Sequence, residues 1–255
     1  MRGMTLSRNH IYVFAAAIAL VAVYLLVSTE RTPTLEFQDR TFPQGFRDLV
    51  LPAAVSPINP ALGPPPGTRE SRAPMPDLRE VCDALFHDPN SPSAGNRNAP
   101  VPMVTFFDYR CPYCKTLSGI MAAMPTDNVH ILFHEWAILS DSSVLAARAA
   151  LAADRQGKYL PFHARLMDTR LVPTQTYLDA IAAELGMDAT RLHADMTSES
   201  ITLALRRTSA LASTLGLIGT PAVVVGRTIV QGEISRGQLE RLIKIEMQTP
   251  PPKVC

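Results

Sequence analysis

The chain has 255 residues, 47% of them hydrophobic and 18% charged, which is enough to build a packed core in one or two domains. It carries 24 Lys and Arg against 23 Asp and Glu, a formal charge of +1, and no basic run offsets that balance locally. A polyanion binder driven by counterion release is therefore excluded, and nucleic acid is not an expected partner. Four cysteines are too few for a disulfide-stapled mini-protein or for a zinc cluster built from repeated pairs.

Residues 1–10 include Arg2 and Arg8 and precede 17 consecutive uncharged, mostly apolar residues, 11–27 (IYVFAAAIALVAVYLLV). As a helix this run spans about 25 Å, just short of a hydrocarbon core of about 30 Å. Residues 30–48 carry four acids and three arginines, so the basic bias lies before the run. That bias predicts residues 1–10 in the cytoplasm, 11–28 as a single-pass signal anchor in the inner membrane, and the remainder exported. A cleaved signal peptide is the alternative, although no A-x-A site follows the run. Residues 29–76 read as a Pro-rich linker, since 14 of the 22 prolines fall between Pro33 and Pro102 and deny helix and central-strand bonding. Two patches within it, 42–51 and 55–62, are apolar enough to dock on a partner or on the folded domain.

The folded part is expected over residues 77–247, with 248–255 as a tail. A helix at 77–86 places Leu78, Val81, Cys82, Leu85 and Phe86 on one stripe. Residues 88–102 are rich in turn formers, and 103–107 (MVTFF) reads as a buried strand that runs straight into Cys111-Pro112-Tyr113-Cys114. Helix continues to about residue 123, and a second strand covers 129–133 or extends to 136. A helical block occupies about 140–215, with segments near 140–153, 159–167, 174–185, 188–196 and 199–215. Gly219-Thr220-Pro221 then leads into a strand at 222–225, a Gly226-Arg227 turn, a partner strand at 228–230 and a last helix at 239–247. The fold class is α/β.

Cys111-Pro112-Tyr113-Cys114 at a strand-to-helix junction carries the chemistry. A thiolate at the first turn of a helix faces unpaired backbone N–H groups and the positive end of the dipole, which lowers its pKa. Pro112 suits that turn, because its missing N–H has no helical acceptor there. The spacing brings Cys114 to the sulfur of Cys111, so one cysteine can engage a substrate while the other resolves the mixed disulfide. Tyr113, between them, is expected to touch substrate. As a structural staple so short a loop constrains little, and a metal site would need two further ligands.

This pattern resembles the DsbA-like thiol-disulfide oxidoreductases of the bacterial periplasm, nearest to their ScsC-type branch. The matching stretches are ALFHDPNSPSAGN, FFDYRCPYCK, AARAALAADRQGKYLPFHARLM and LGLIGTPAVVVG, covering about residues 78–242. The resemblance implies a thioredoxin fold with an inserted helical domain, and a cis Thr220-Pro221 bond beside the cysteines whose backbone pairs with an extended substrate. It also implies that exported protein thiols and disulfides are the partners. The electron partner would be a membrane protein, either a quinone-linked oxidase or a transmembrane reductant. No cofactor and no metal are called for. One departure stands out. Where such proteins often carry a buried Glu six residues before the first cysteine, this chain has Thr105, leaving Asp108, Lys115 or water to move the proton of Cys114.

Cys82 reads as a small core residue and Cys255 as a loose tail thiol, with a second disulfide as the alternative in an oxidising compartment. His130 and His134 share a strand face without a third ligand, which favours packing or surface over metal. Glutaredoxins share CPYC but lack the export segment and the helical block. The expected function is a membrane-tethered periplasmic thiol-disulfide oxidoreductase working in the oxidase direction. Isomerase or reductase activity is one alternative, and a non-catalytic Cu(I)-binding or chaperone-like module is the other.

Overall fold

The centre of the molecule is the strand β5 (Val101–Phe107), whose sequence VPMVTFF is almost wholly apolar because both of its faces are covered. The computed structural model of the chain describes residues 34–59, 77–248 and 255. The run at 11–27 therefore lies outside the described residues, as do 60–76 of the expected linker and 249–254 of the tail. Among the described residues no helix is long and apolar enough to cross a membrane.

β5 pairs in parallel with β6 (Val129–Glu135) and antiparallel with β8 (Ala222–Val225). β8 turns at Gly226, whose φ of +54° suits a residue without Cβ, into β9 (Thr228–Gln231). Side chains alternate along these strands. Val101, Met103, Phe107, Val223, Val225 and Val230 enter one core; Val104, Phe106, Ala222, Val224 and Ile229 enter the other.

Helix α1 (Leu78–Phe86) opens with a capping box between Asp77 and Glu80 and buries Val81, Cys82, Leu85 and Phe86 in the second core. Helix α2 (Pro112–Ala122) follows β5 directly. Five helices stand between β6 and the next strand: α3 (Asp141–Asp154), α4 (Tyr159–Asp168), α5 (Gln175–Glu184), α6 (Ala189–Met196) and α7 (Glu199–Thr214). Their starts follow sequence chemistry: Ser140, Thr174 and Asp188 each accept a backbone N–H three residues on. α3 is rich in alanine, and Ala146, Ala147, Ala149, Ala150, Ala152 and Ala153 are all buried, which lets its neighbours approach closely. Helix α8 (Arg236–Gln248) closes the fold.

The linker expectation fails for the described residues before 60. They form β1 (Glu36–Asp39), β2 (Arg47–Val50) and β3 (Ser56–Pro57). β1 pairs antiparallel with β2, and β2 joins the sheet in parallel with β9. The sheet order is β1-β2-β9-β8-β5-β6-β4, where β4 (Ser93–Gly95) is a short edge strand inside the segment expected to be turns. What fastens β2 is a buried charge. The Arg47 Nε donates to Thr228 Oγ1 at 2.8 Å and Nη2 to Glu246 Oε1 of α8 at 2.7 Å, and the guanidinium lies 3.8 Å over the Phe37 ring. The apolar patch 42–51 thus docks on the folded domain, held by an arginine whose partner lies 199 residues away.

Cys82 and Cys255 form a disulfide, with Cα atoms 5.1 Å apart, so the expectation of a core residue and a free tail thiol is corrected. Cys82 is fully buried against the core that Cys255 also packs on, which brings the sulfurs together. His134 is a packing residue, stacked on Phe106 at 5.0 Å and held neutral by burial, which lowers its pKa to about 4.

Candidate active site

β5 ends at Phe107, and residues 108–110 make a tight corner into α2. Asp108 builds that corner. Its Oδ1 accepts the Arg110 N–H at 2.7 Å, its Oδ2 accepts the Ile138 and Leu139 N–H groups at 2.8 and 3.0 Å, and its carbonyl accepts the Cys111 N–H at 3.0 Å. Cys111 is then the N-cap of α2, with Pro112 in the first turn, and its Sγ accepts the Cys114 N–H at 3.2 Å. Pro112 is exposed, Tyr113 half-buried and packed on the core, and both sulfurs are buried free thiols.

Across the gap lies β7 (Gly219–Thr220), followed by a cis bond to Pro221. The Cys111 thiol donates to the Thr220 carbonyl at 3.4 Å. All six residues expected at the site, Cys111, Pro112, Tyr113, Cys114, Thr220 and Pro221, therefore belong to one small region.

The two sulfurs differ electrically. Hydrogen bonding from the Cys114 thiol does most to lower the Cys111 pKa, to about 6; burial opposes it, and the Ser56 hydroxyl adds a further donor. Cys114 moves the other way. Burial raises it well above the ordinary thiol range, and the proton it lends to Cys111 and the charge there raise it further. Thr105 sits beneath it in an apolar cavity of about 250 Å³ lined also by Phe107, Cys114, Leu117, Phe133 and His163. No acidic residue among the described residues lines that cavity, so Cys114 faces no carboxylate there. The two named substitutes are committed elsewhere: Asp108 to its corner, and Lys115 Nζ to the carbonyls of Leu166, Met167 and Thr169.

Two groups escaped the sequence reading. One is Ser56, from the presumed linker. The other is a buried cluster behind the corner, where Glu135 Oε1 accepts from Tyr109 and Tyr159, each at 2.8 Å, and His163 lies 3.0 Å from the Tyr109 oxygen. Burial raises Glu135 to about 8, against the lowering effect of the two tyrosines, and lowers His163 to about 3, so both are neutral at pH 7. The only hint in the sequence was an acid ending the apolar strand VHILFHE.

A strand-helix corner that presents an asymmetric CPYC pair to a cis-proline strand defines a thioredoxin-like oxidoreductase. The Thioredoxin family model matches residues 87–245, and the chain belongs to that family. Among solved structures it is similar to a thioredoxin-like oxidoreductase from Silicibacter pomeroyi, with 40% identity, 66% of this chain and 98% of that one covered, and a TM-score of 0.61. A periplasmic thioredoxin-like protein from Salmonella enterica serovar Typhimurium matches at 29% identity over 67% and 97% of the two chains, TM-score 0.61. The catalytic domain of Proteus mirabilis ScsC matches at 26% over 67% and 99%, TM-score 0.60. The chain is thus a thiol-disulfide oxidoreductase of the DsbA/ScsC type. A curated relative, the Na(+)/H(+) antiporter NhaA of Herminiimonas arsenicoxydans, is 28% identical over 135 residues, which are 51% of this chain and 21% of the antiporter. The chain therefore spans about a fifth of the length of the curated relative it matches.

Proposed function

We propose that the Cys111–Cys114 pair is the reacting centre of a membrane-tethered periplasmic enzyme that oxidises thiols of exported proteins. The observation that carries this reading is the opposite displacement of the two sulfurs, Cys111 down to about 6 and Cys114 well up. In the oxidised enzyme a substrate thiolate attacks the Cys111 sulfur, and the S–S bond breaks with its electron pair passing to Cys114, which takes a proton. A second substrate thiolate then attacks the substrate's own sulfur in the mixed disulfide and expels the Cys111 thiolate. A thiol of low pKa leaves fastest, so the second step runs towards oxidised substrate. Two electrons have moved from the substrate dithiol to the enzyme pair, and a quinone-linked membrane oxidase would remove them.

Support for the compartment comes from the apolar run at 11–27 with its preceding arginines, and from the periplasmic relative in Salmonella enterica. Support for an unfolded, extended substrate comes from Ile218, 62% exposed immediately before β7. Equilibration of the pair with glutathione buffers tests the direction. A potential of about −120 to −180 mV, with catalytic oxidation of a two-cysteine peptide, is the expected result, whereas about −270 mV would mark a reductase.

A further inference from the structure

Cys111 is the sulfur a substrate has to reach, yet its relative exposure is 0%. Part of its cover is β3. Ser56 stands opposite Thr220 and Pro57 opposite Gly219 in an antiparallel pair. Thr220 is the residue whose carbonyl meets the Cys111 thiol, so β3 holds the backbone edge that borders the reacting sulfur. The approach is close, because a Cβ at Gly219 would collide with the Ser56 carbonyl. Ser56, opposite Thr220 in that pair, is thereby brought to the side of the strand that meets Cys111, and its hydroxyl is among the groups that lower the Cys111 pKa. Beyond it Asn59 ties the segment down, its N–H donating to the Ile138 carbonyl and its Nδ2 to the Leu139 carbonyl, both at 3.0 Å.

We propose that residues 52–59 are an internal pseudosubstrate: β3 fills the edge on which an extended substrate pairs, with Ser56 in the place of the substrate cysteine. The proposal rests on the reading of Cys111 as the reacting sulfur. An extended peptide joins a sheet edge through main-chain hydrogen bonds, and one edge accepts one strand at a time. Serine differs from cysteine by oxygen for sulfur, so it reaches the same position and hydrogen-bonds the thiolate but forms no disulfide. The segment is also shallow. Pro52, Ala54 and Pro57 are exposed and Val55, Ser56, Ile58 and Asn59 only half-buried, so it can peel away at a lower free energy than the sheet beneath it. Substrate affinity is then divided by the fraction of molecules in which the edge is open.

Two measurements on the full chain test this. In the double variant S56C/C114S, diamide accepts two electrons and two protons from two thiols, and the introduced sulfur is expected to bond to Cys111, read by peptide mapping without reductant. Separately, residues 53–58 are replaced by Gly and Ser at equal length, and kcat/KM for oxidation of a two-cysteine peptide is measured alongside alkylation of reduced Cys111 by iodoacetamide. Both are expected to rise about tenfold or more. The milder N59A, which loosens one anchor, is expected to shift them the same way and serves if the replaced chain does not fold. No cross-link in a protein whose Cys111 still exchanges with glutathione would overturn the proposal while leaving the enzyme reading intact. So would a cross-link accompanied by unchanged or lower kcat/KM in the loosened chains. Failure of every chain to exchange with any disulfide would remove the enzyme reading and the proposal with it.

Discussion

Lowering the pH on the protein with its Cys111–Cys114 pair reduced removes a stabilising charge whose size follows from the site. Cys111 moves from the ordinary 9.0 to about 6, chiefly through the Cys114 thiol. At 1.36 kcal/mol per unit the thiolate contributes about 4 kcal/mol to the reduced fold above pH 9. The folded pKa is depressed, so the contribution is complete above the unfolded value, declines from pH 9 downwards and vanishes as pH falls through 6. At pH 7 only the interval between 6 and 7 counts, leaving about 1.4 kcal/mol, or about 30 mV of oxidising power for this two-electron couple. The disulfide form has no thiolate and shows none of this. Urea unfolding of both redox forms at a series of pH values, with the thiolate followed by its ultraviolet absorbance, measures the gap directly. C114A removes the largest cause and should move the midpoint up. A midpoint above pH 8 in the unaltered protein, or a gap between the forms that stays flat from pH 6 to 9, would refute the reasoning.

Two further outcomes are expected. Glu135 is raised to about 8 by burial, so between pH 4.5 and 8 the unfolded chain releases a proton that the fold retains, and stability falls with rising pH. E135Q keeps an acceptor for Tyr109 and Tyr159 and should flatten that slope, gaining on the order of 3 kcal/mol at pH 7 relative to a fixed low-pH reference; an unchanged slope would count against a buried acid. C82S opens a covalent loop of 173 residues and should cost about 2 to 5 kcal/mol in denaturant unfolding while Cys111 keeps its titration; a loss below 1 kcal/mol would contradict a stabilising bond.

What was legible in the sequence was whatever announces itself locally. MVTFF and AVVV read as strands because burial on both faces demands unbroken apolar runs, and VLAARAALAA read as a helix behind a Ser cap. CPYC at the end of an apolar strand located the start of a helix, with Cys111 as its N-cap and Cys114 one turn on. The missed parts depend on partners far along the chain. RDLV is a strand because Glu246 and Thr228 neutralise and bond Arg47, and SAG is one because β6 offers an open edge. Ser56 gave no signal, since a serine between a valine and a proline acquires meaning only when Thr220 and Cys111 are brought beside it.

The two cysteine pairs of this chain stand on opposite sides of one sheet, Cys111 and Cys114 in one core, Cys82 and Cys255 at the other. A folded copy therefore cannot use its own reactive pair to make or mend its structural bond, because the seven-stranded sheet lies between them. In a folded chain whose Cys82–Cys255 bond has been reduced, reclosure therefore falls to an outside oxidant and not to the Cys111–Cys114 pair of the same molecule.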